Sequence, residues 1–352
     1  MIAQAPPLKT PPHRNAPRHA ARSETLGTVL LTIAMIVIQA VMVSAYAWSA
    51  ASTAPRDLPI AVAGPAKAVA AVTAELDRAH PGAFRVVPVT TQAQAKSDID
   101  RRVAYGAIVL DAATPKVLIA SAASPAAASV LTTLADHLDG IQQPDISNVV
   151  PGSAADPTGA GFGFTVLPLM ITSLMGGIML GLRIRRVSHR IPALLIYAAG
   201  GGAATIAIAH SWLGIIPGNF IVLSAATGLA VLAVAAAVSG LAHVASHFGK
   251  TMVGVVIGGV VIMMVGNPFS GMSSAPQMLP RVWGTIGQYL PTGAVATLLR
   301  SVAYFGGAAA AVPWTVLSVW AAGGILLTLT RRRAATASAA PVPEPRPGLT
   351  PA

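Results

Sequence analysis

The chain has 352 residues, of which 54% are hydrophobic and only 10% charged, and its mean hydropathy is +0.66. That is too little charge to coat a soluble protein of this length, so composition places the chain in the membrane class. The formal net charge of +11 sits at the ends of apolar runs without interleaved aromatics, which argues for topology signals and against nucleic-acid binding, and the absence of cysteine excludes disulfides, thiolate zinc sites and iron–sulfur clusters.

Residues 1–25 read as a basic, disordered cytoplasmic tail carrying Lys9, Arg14, Arg18 and Arg22, too poor in apolar periodicity to offset the entropy of ordering. Leu26 to Ala47 is an uncharged apolar run long enough for a hydrocarbon core of about 30 Å, which predicts a first transmembrane helix within 26–50. Ala45-Tyr46-Ala47 is also a small-x-small pattern, so a cleaved signal peptide competes. The run exceeds the roughly 7–15 residues of a signal core, and the uncleaved anchor is preferred.

Residues 51–160 are predicted to form a small α/β domain and its linker. Ten of the twelve acidic residues lie between Asp57 and Asp156. Leu58–Ala63, Phe84–Val89, Tyr105–Leu110 and Lys116–Ala120 read as strands. Helices are expected over Ala66–Ala79, from a Thr91 cap to Val103, and after Ser124 with Val130, Leu131, Leu134, Leu138 and Ile141 as its stripe. The order β-α-β-α-β-β-α predicts a small α/β layer, and residues 142–160 read as a linker.

Apolar runs resume over residues 161–330: Phe162–Leu182, Ile191–Leu213, Phe220–Val244, a shorter Thr251–Pro268, and Val312–Thr330. With the first, these predict six transmembrane helices. Arg183, Arg185, Arg186, Arg190, Lys250 and the Arg331–Arg333 cluster all fall on the side of the N-terminal basic group, which predicts both termini in the cytoplasm and residues 51–160 outside. The fold class is therefore an α-helical polytopic protein of the cytoplasmic (inner) membrane with an extracytoplasmic α/β domain between helices 1 and 2. Residues 331–352 read as a second disordered tail.

From Pro157 to Pro343 there is no Asp or Glu, whereas ion-coupled carriers rely on titrating or paired groups inside the bilayer. His243 and His247 stand at helical i,i+4 spacing, which suits two metal ligands, but no acid or thiol joins them and no metal site is predicted. His210 reads as an interfacial or packing residue, and His80 and His137 as isolated surface histidines. Gly249-Lys250-Thr251 matches the end of a phosphate-binding loop, but a membrane helix stands where the strand is needed. Gly159, Gly161 and Gly163 read as a flexible hinge. No catalytic residue and no cofactor of the chain's own emerges.

Small residues at four-residue spacing let helices approach closely: Gly177 with Gly181, Gly254 with Gly258, and more weakly Ser224 with Gly228. They support packing within the chain or across a dimer. Between Asn267 and Gly307, Pro268, Pro276, Pro280 and Pro291 break the sequence into short pieces, with short helices at Val282–Leu290 and Ala294–Tyr304. Such a segment (268–307) is either a re-entrant hairpin, tolerated at membrane depth against protein or a wet cavity, or an external loop with an amphipathic helix.

One span, an external domain and five further spans resemble the type-2 ABC exporter permeases, including their phage-infection-protein-like branch. The likeness runs from 25 to 330 and is carried most specifically by Asn267-Pro268-Phe269-Ser270-Gly271, Leu279-Pro280, Trp283-Gly284, Gly287-Gln288, Leu290-Pro291 and Leu298-Leu299-Arg300-Ser301, with Leu58–Pro65 and Tyr105–Leu110 further back. The resemblance implies paired permease subunits, a homodimer being the simplest, bound to separate cytoplasmic ATPase subunits that carry the ATP. It places Arg183, Arg185, Arg186 and Arg190 in the ATPase-coupling loop, and Pro268, Pro280, Pro291 and Arg300 in or beside re-entrant helices near the exit. The implied cargo is an amphipathic or hydrophobic molecule such as a lipid, drug or glycan. The alternative expectation is a non-transport envelope protein acting through its external domain in assembly, secretion or phage adsorption.

Overall fold

The computed structural model describes residues 18–110, 115–137 and 145–330. Two layers of organisation follow the two kinds of hydrophobic pattern in the sequence, and they are joined by the proline-broken segment.

The α/β domain lies between α1 (Arg18–Ala51) and α5 (Ala160–Arg183). Its elements run β1 (Leu58–Ala63), α2 (Ala66–Ala79), β2 (Phe84–Val89), α3 (Gln92–Asp100), β3 (Gly106–Val109), β4 (Lys116–Ile119), α4 (Pro125–His137) and β5 (Asp145–Asn148). Among the described residues they form one sheet of order β2-β1-β3-β4-β5. β1 pairs in parallel with both β2 and β3, β3 and β4 are antiparallel, and β4 pairs in parallel with β5. β1 is buried along its whole length, as expected of a central strand covered on both faces. Leu58, Ile60 and Val62 pack with Val69 and Leu76 of α2 and Leu131 of α4. Ala61 and Ala63 face the other way, onto Ala95 and Ile99 of α3. Thr91 caps α3 by accepting the Gln94 N–H at 3.2 Å.

The expected linker at 142–160 contains β5, a correction. All four of its residues are exposed, so this edge strand carries no alternating apolar signal to read. Leu138 and Ile141, placed on the stripe of α4, lie outside the described residues, as do Lys9, Arg14 and the Arg331–Arg333 cluster. Of the expected disordered tail 1–25, residues 18–25 belong to α1, a correction: the helix of the apolar run extends back to Arg18, since adding a residue to a formed helix costs far less than starting one.

The remaining helices are α6 (Val187–Ile206, continued as a π-helix through Trp212), α7 (Phe220–Ser246), α8 (Thr251–Gly259, continued as a π-helix through Gly266), α9 (Arg281–Gln288), α10 (Pro291–Tyr304) and α11 (Ala311–Leu329). Among the described residues five helices are long and apolar enough to cross a membrane: Thr28–Ala51, Gly161–Arg183, Val187–Trp212, Phe220–Ser246 and Ala311–Leu329. They suit a multi-pass membrane protein. The run at Thr251–Pro268, expected as a further span, forms the shorter apolar helix Thr251–Gly266. As a helix it reaches roughly 24 Å, short of the ~30 Å of a hydrocarbon core.

α7 is the axis of the bundle. Of its most apolar window 67% is buried, against 0% for α1. Close approach to α7 is made possible by missing side chains. A Cβ on Gly177 would meet Ala235 O at 2.6 Å, one on Gly181 would meet Ser239 Oγ at 3.0 Å, and ones on Gly254 and Gly258 would meet Leu241 O at 2.3 Å and Val238 Cγ2 at 3.0 Å. All four glycines thus face α7 of the same chain. On α11, Gly324 meets the α7 backbone at Ala236 and Ala237 in the same way.

Candidate functional site

Prolines set the path of the segment between α8 and α11. Pro276 opens a 3₁₀ turn, Pro280 stands at the N-cap of α9, and Pro291 is the first residue of α10, the position where a missing N–H is harmless. α9 is amphipathic: Val282 and Ile286 are exposed while Trp283 stacks on Phe269 at 4.8 Å. Trp48 of α1 meets both rings edge-on, at 5.8 and 6.4 Å. α10 runs into the bundle, where Ala294, Val295, Leu298 and Leu299 share a core cluster with α5, α7 and α11.

Arg300 holds this segment together. Its side chain is buried, with the residue 5% exposed. Nη1 donates to Gly271 O at 3.0 Å, Nη2 donates to Met272 O, and the guanidinium lies over the Phe162 ring at 4.6 Å. These carbonyls and the ring face supply the polarity that a buried cation needs.

The same segment completes the α/β domain. Ala275 and Met278 sit in the core cluster on one face of the sheet, and Phe305, just past α10, sits in the cluster on the other. Arg56 donates from its backbone N–H to Gln277 O at 2.9 Å and from Nη1 to Met278 O at 2.9 Å. Tyr105 OH donates to Gln277 Oε1 at 3.0 Å. Arg102 donates to Thr297 O at 3.0 Å and Ser301 Oγ at 2.5 Å, and covers the Phe305 ring at 5.3 Å. It does so from a left-handed backbone, φ +61, which an arginine adopts only when its surroundings over-determine it. Burial pushes the Arg102 pKa down; burial also pushes the Tyr105 phenol up, against the pull of Arg102 and Arg300.

A cleft of about 760 Å³ opens beside the C-terminal end of α1. Its walls are Tyr46 and Ser49 of α1, Thr53 just beyond it, Pro125 and Ala126 at the start of α4, the first two turns of α5, and the loop from Asn267 to Ser274. Asn267 Nδ2 donates to Tyr46 OH and Ser49 Oγ donates to Pro268 O, so α1 is tied to that loop at the cleft's rim.

At the opposite end of α5 the four arginines separate. Arg183, Arg185 and Arg186 are exposed. Arg190 is 4% exposed; its Nε donates to Ile184 O at 2.7 Å, and its buried Nη1 has no partner. Arg190 thus folds the loop back on itself and presents no charge outward. His243 and His247 lie 4.8 Å apart between ring centroids, with His243 Nε2 against Thr330 O at 3.1 Å. Among the described residues no group of three or more His, Cys, Asp or Glu could hold a metal ion.

The other singled-out residues take structural places. His210 Nδ1 is 2.9 Å from Ile216 O, and the His80 ring meets Phe84. His137 ends α4. Gly249-Lys250-Thr251 is the turn from α7 into α8. Gly159, with φ +70, is the N-cap of α5, and the buried Asp156 carboxylate accepts the Phe162 N–H at 3.2 Å, so the glycine triplet is a capped helix start. Sequence reasoning missed Arg102, Tyr105, Asp156 and the α1 rim. Arg102 is indistinguishable in sequence from its neighbour Arg101, and only Asp156, just ahead of a helical run, carried a capping signal.

Scans of protein-family models, of curated proteins and of solved structures return no match for this chain.

Proposed function

We propose that the chain is the permease subunit of an ABC-type exporter, moving an amphipathic or hydrophobic cargo across the cytoplasmic membrane with power from a separate ATPase. The observation that carries this is the segregation of charge. The bundle holds no acid from Pro157 to Pro343, three unshielded arginines project from one end, and the acid-rich α/β domain lies at the other. A bundle without carboxylates or a nucleotide loop lacks the groups that most often couple to a proton gradient or bind ATP, which favours power supplied by a separate subunit.

In this scheme Arg183, Arg185 and Arg186 face the cytoplasm and receive the ATPase, while Thr251–Gly266 and the 268–307 segment together make the sixth crossing and a re-entrant hairpin. Both termini are cytoplasmic, and two copies pair in the bilayer. The competing function, an envelope protein working through its external domain alone, predicts that residues 55–150 act when expressed by themselves. The presence of Ala275, Met278 and Phe305 in that domain's cores weighs against it.

The test is co-purification of an ATPase with the full chain, and its loss together with transport when Arg183, Arg185 and Arg186 are all changed to Gln. Arg190 is left intact, because its removal would disturb the fold of the loop. Transport that persists with the loop neutralised and no ATPase present contradicts the proposal.

A further inference from the structure

The cleft beside α1 has a chemistry that selects its occupant. Its volume of about 760 Å³ falls within the range of roughly 300–1,000 Å³ usual for small-molecule sites. Eight of its lining side chains are hydroxyls, phenol or amide, and none is charged. The nearest buried cation, Arg300, is committed to Gly271 O and Met272 O. A charged head group would give up water here for walls that offer no counter-charge, whereas a neutral polyol can exchange its water for Ser273 and Ser274 and for the hydrogen-bonding capacity left on Ser49, Thr53 and Asn267, which each spend one donor, on Pro268 O, Ser49 O and Tyr46 OH respectively.

One side of the cleft opens onto exposed apolar surface. Phe164 at its mouth is 77% exposed, and Leu167, Ile171 and Met175 continue an exposed apolar lane down the same face of α5, at helical spacing. α1, whose C-terminal end forms the other wall, is itself bare and apolar from Val29 to Val43. A largely apolar chamber carrying uncharged hydroxyl and amide groups, beside an exposed apolar lane, fits a molecule with a neutral head and chains.

We propose that this cleft binds an amphiphile from the lipid phase whose head is uncharged and hydroxyl-bearing, with its chains along Phe164, Leu167, Ile171 and Met175. Binding requires only that the helices lie in a bilayer. Service as the point where a cargo is released rests on the permease function proposed above.

Gly163 gives a way to close the cleft: it lines the cleft, and a Cβ there meets nothing within 4 Å, so Gly163→Phe can branch from the helix without a backbone clash and put a ring into the space. The full chain in phosphatidylcholine nanodiscs is photolysed with a diazirine-tagged glycosyl diacylglycerol, and adducts are mapped by mass spectrometry. Adducts are expected at 46–53, 163–167 and 267–279. Untagged glycosyl diacylglycerol should compete and phosphatidylglycerol should not, and the yield should fall about tenfold in Gly163→Phe, or in the exposed-lane variant Leu167→Ser if the first does not fold, as for a loss of about 1.4 kcal/mol. Equal competition by phosphatidylglycerol, adducts elsewhere, cross-links to a second copy in place of lipid, or a yield unchanged in both variants overturns the proposal. Adducts without ATPase-dependent transport leave the site standing and remove the permease; ATPase-dependent transport without these adducts does the reverse.

Discussion

Gly323 and Gly324 are neighbours on α11, yet their substitution by alanine should have opposite effects. A Cβ on Gly324 would lie 2.3 Å from Ala236 C and 2.4 Å from Ala237 N, both backbone atoms of the central helix, while one on Gly323 meets nothing within 4 Å. Backbone cannot rotate aside as a flexible side chain can, so Gly324→Ala forces α7 and α11 apart. Overpacking of this kind costs about 1–3 kcal/mol, offset in part by a helix-propensity gain of at most about 1 kcal/mol. Gly323→Ala keeps only the gain. Thermal unfolding of the two variants in the same detergent reads the difference: Gly324→Ala less stable than wild type, Gly323→Ala equal or more stable. Equal midpoints for the two variants would mean that α7 and α11 do not touch at Gly240 and Gly324, and the packing described for the bundle would be wrong.

Other outcomes follow from the joint between the α/β domain and the bundle. Arg102→Ala removes two hydrogen bonds and the cation over Phe305, and should cost about 1–3 kcal/mol, seen as faster proteolysis within 58–150 of the full chain. Phe305→Ala should cost about 3–5 kcal/mol by the same assay; resistance equal to wild type would show that the segment after α10 does not complete the domain. Raised above its ordinary value of 10.0 by burial, the Tyr105 phenol favours its protonated form in the folded state. Its contribution is fully present below about pH 10 and is lost as pH rises through the raised pKa. Stability should therefore fall above about pH 10, and Tyr105→Phe should flatten that decline. Asp156→Ala should cost about 1 kcal/mol through loss of the α5 cap, measurable by thermal unfolding, with Asp156→Asn retaining most of it.

Those parts of the fold with strong periodicity were legible in the sequence. The strands Leu58–Ala63 and Phe84–Val89 fall where their apolar runs put them, because a buried central strand and its neighbour need such runs. β5 was not legible, since Asp145–Asn148 has one apolar residue and no buried face. The stretch after Lys250 read as a span from its composition, but hydropathy carries no information about where a helix stops, and the helix ends at Gly266 ahead of Pro268. The glycine pairs announce close packing without naming a partner; only the folded bundle places Gly177, Gly181, Gly254 and Gly258 against α7. Four arginines in one loop looked alike, and the burial of Arg190 arises from the return of α6 across Ile184. The joint made by Arg102, Tyr105, Gln277 and Phe305 depends on contacts between residues far apart in the chain, which no local pattern encodes.

A chain without cysteine permits the most direct test of the separation of charge on which the proposed function depends. Single cysteines replace Lys67, exposed on α2, and Arg185, exposed between α5 and α6, and intact cells are treated with a membrane-impermeant maleimide. Labelling at 67 in intact cells, with labelling at 185 only after permeabilisation, is the expected result. Labelling at 185 from outside would put the arginines on the side where no ATPase can reach them, and would contradict the proposed source of power.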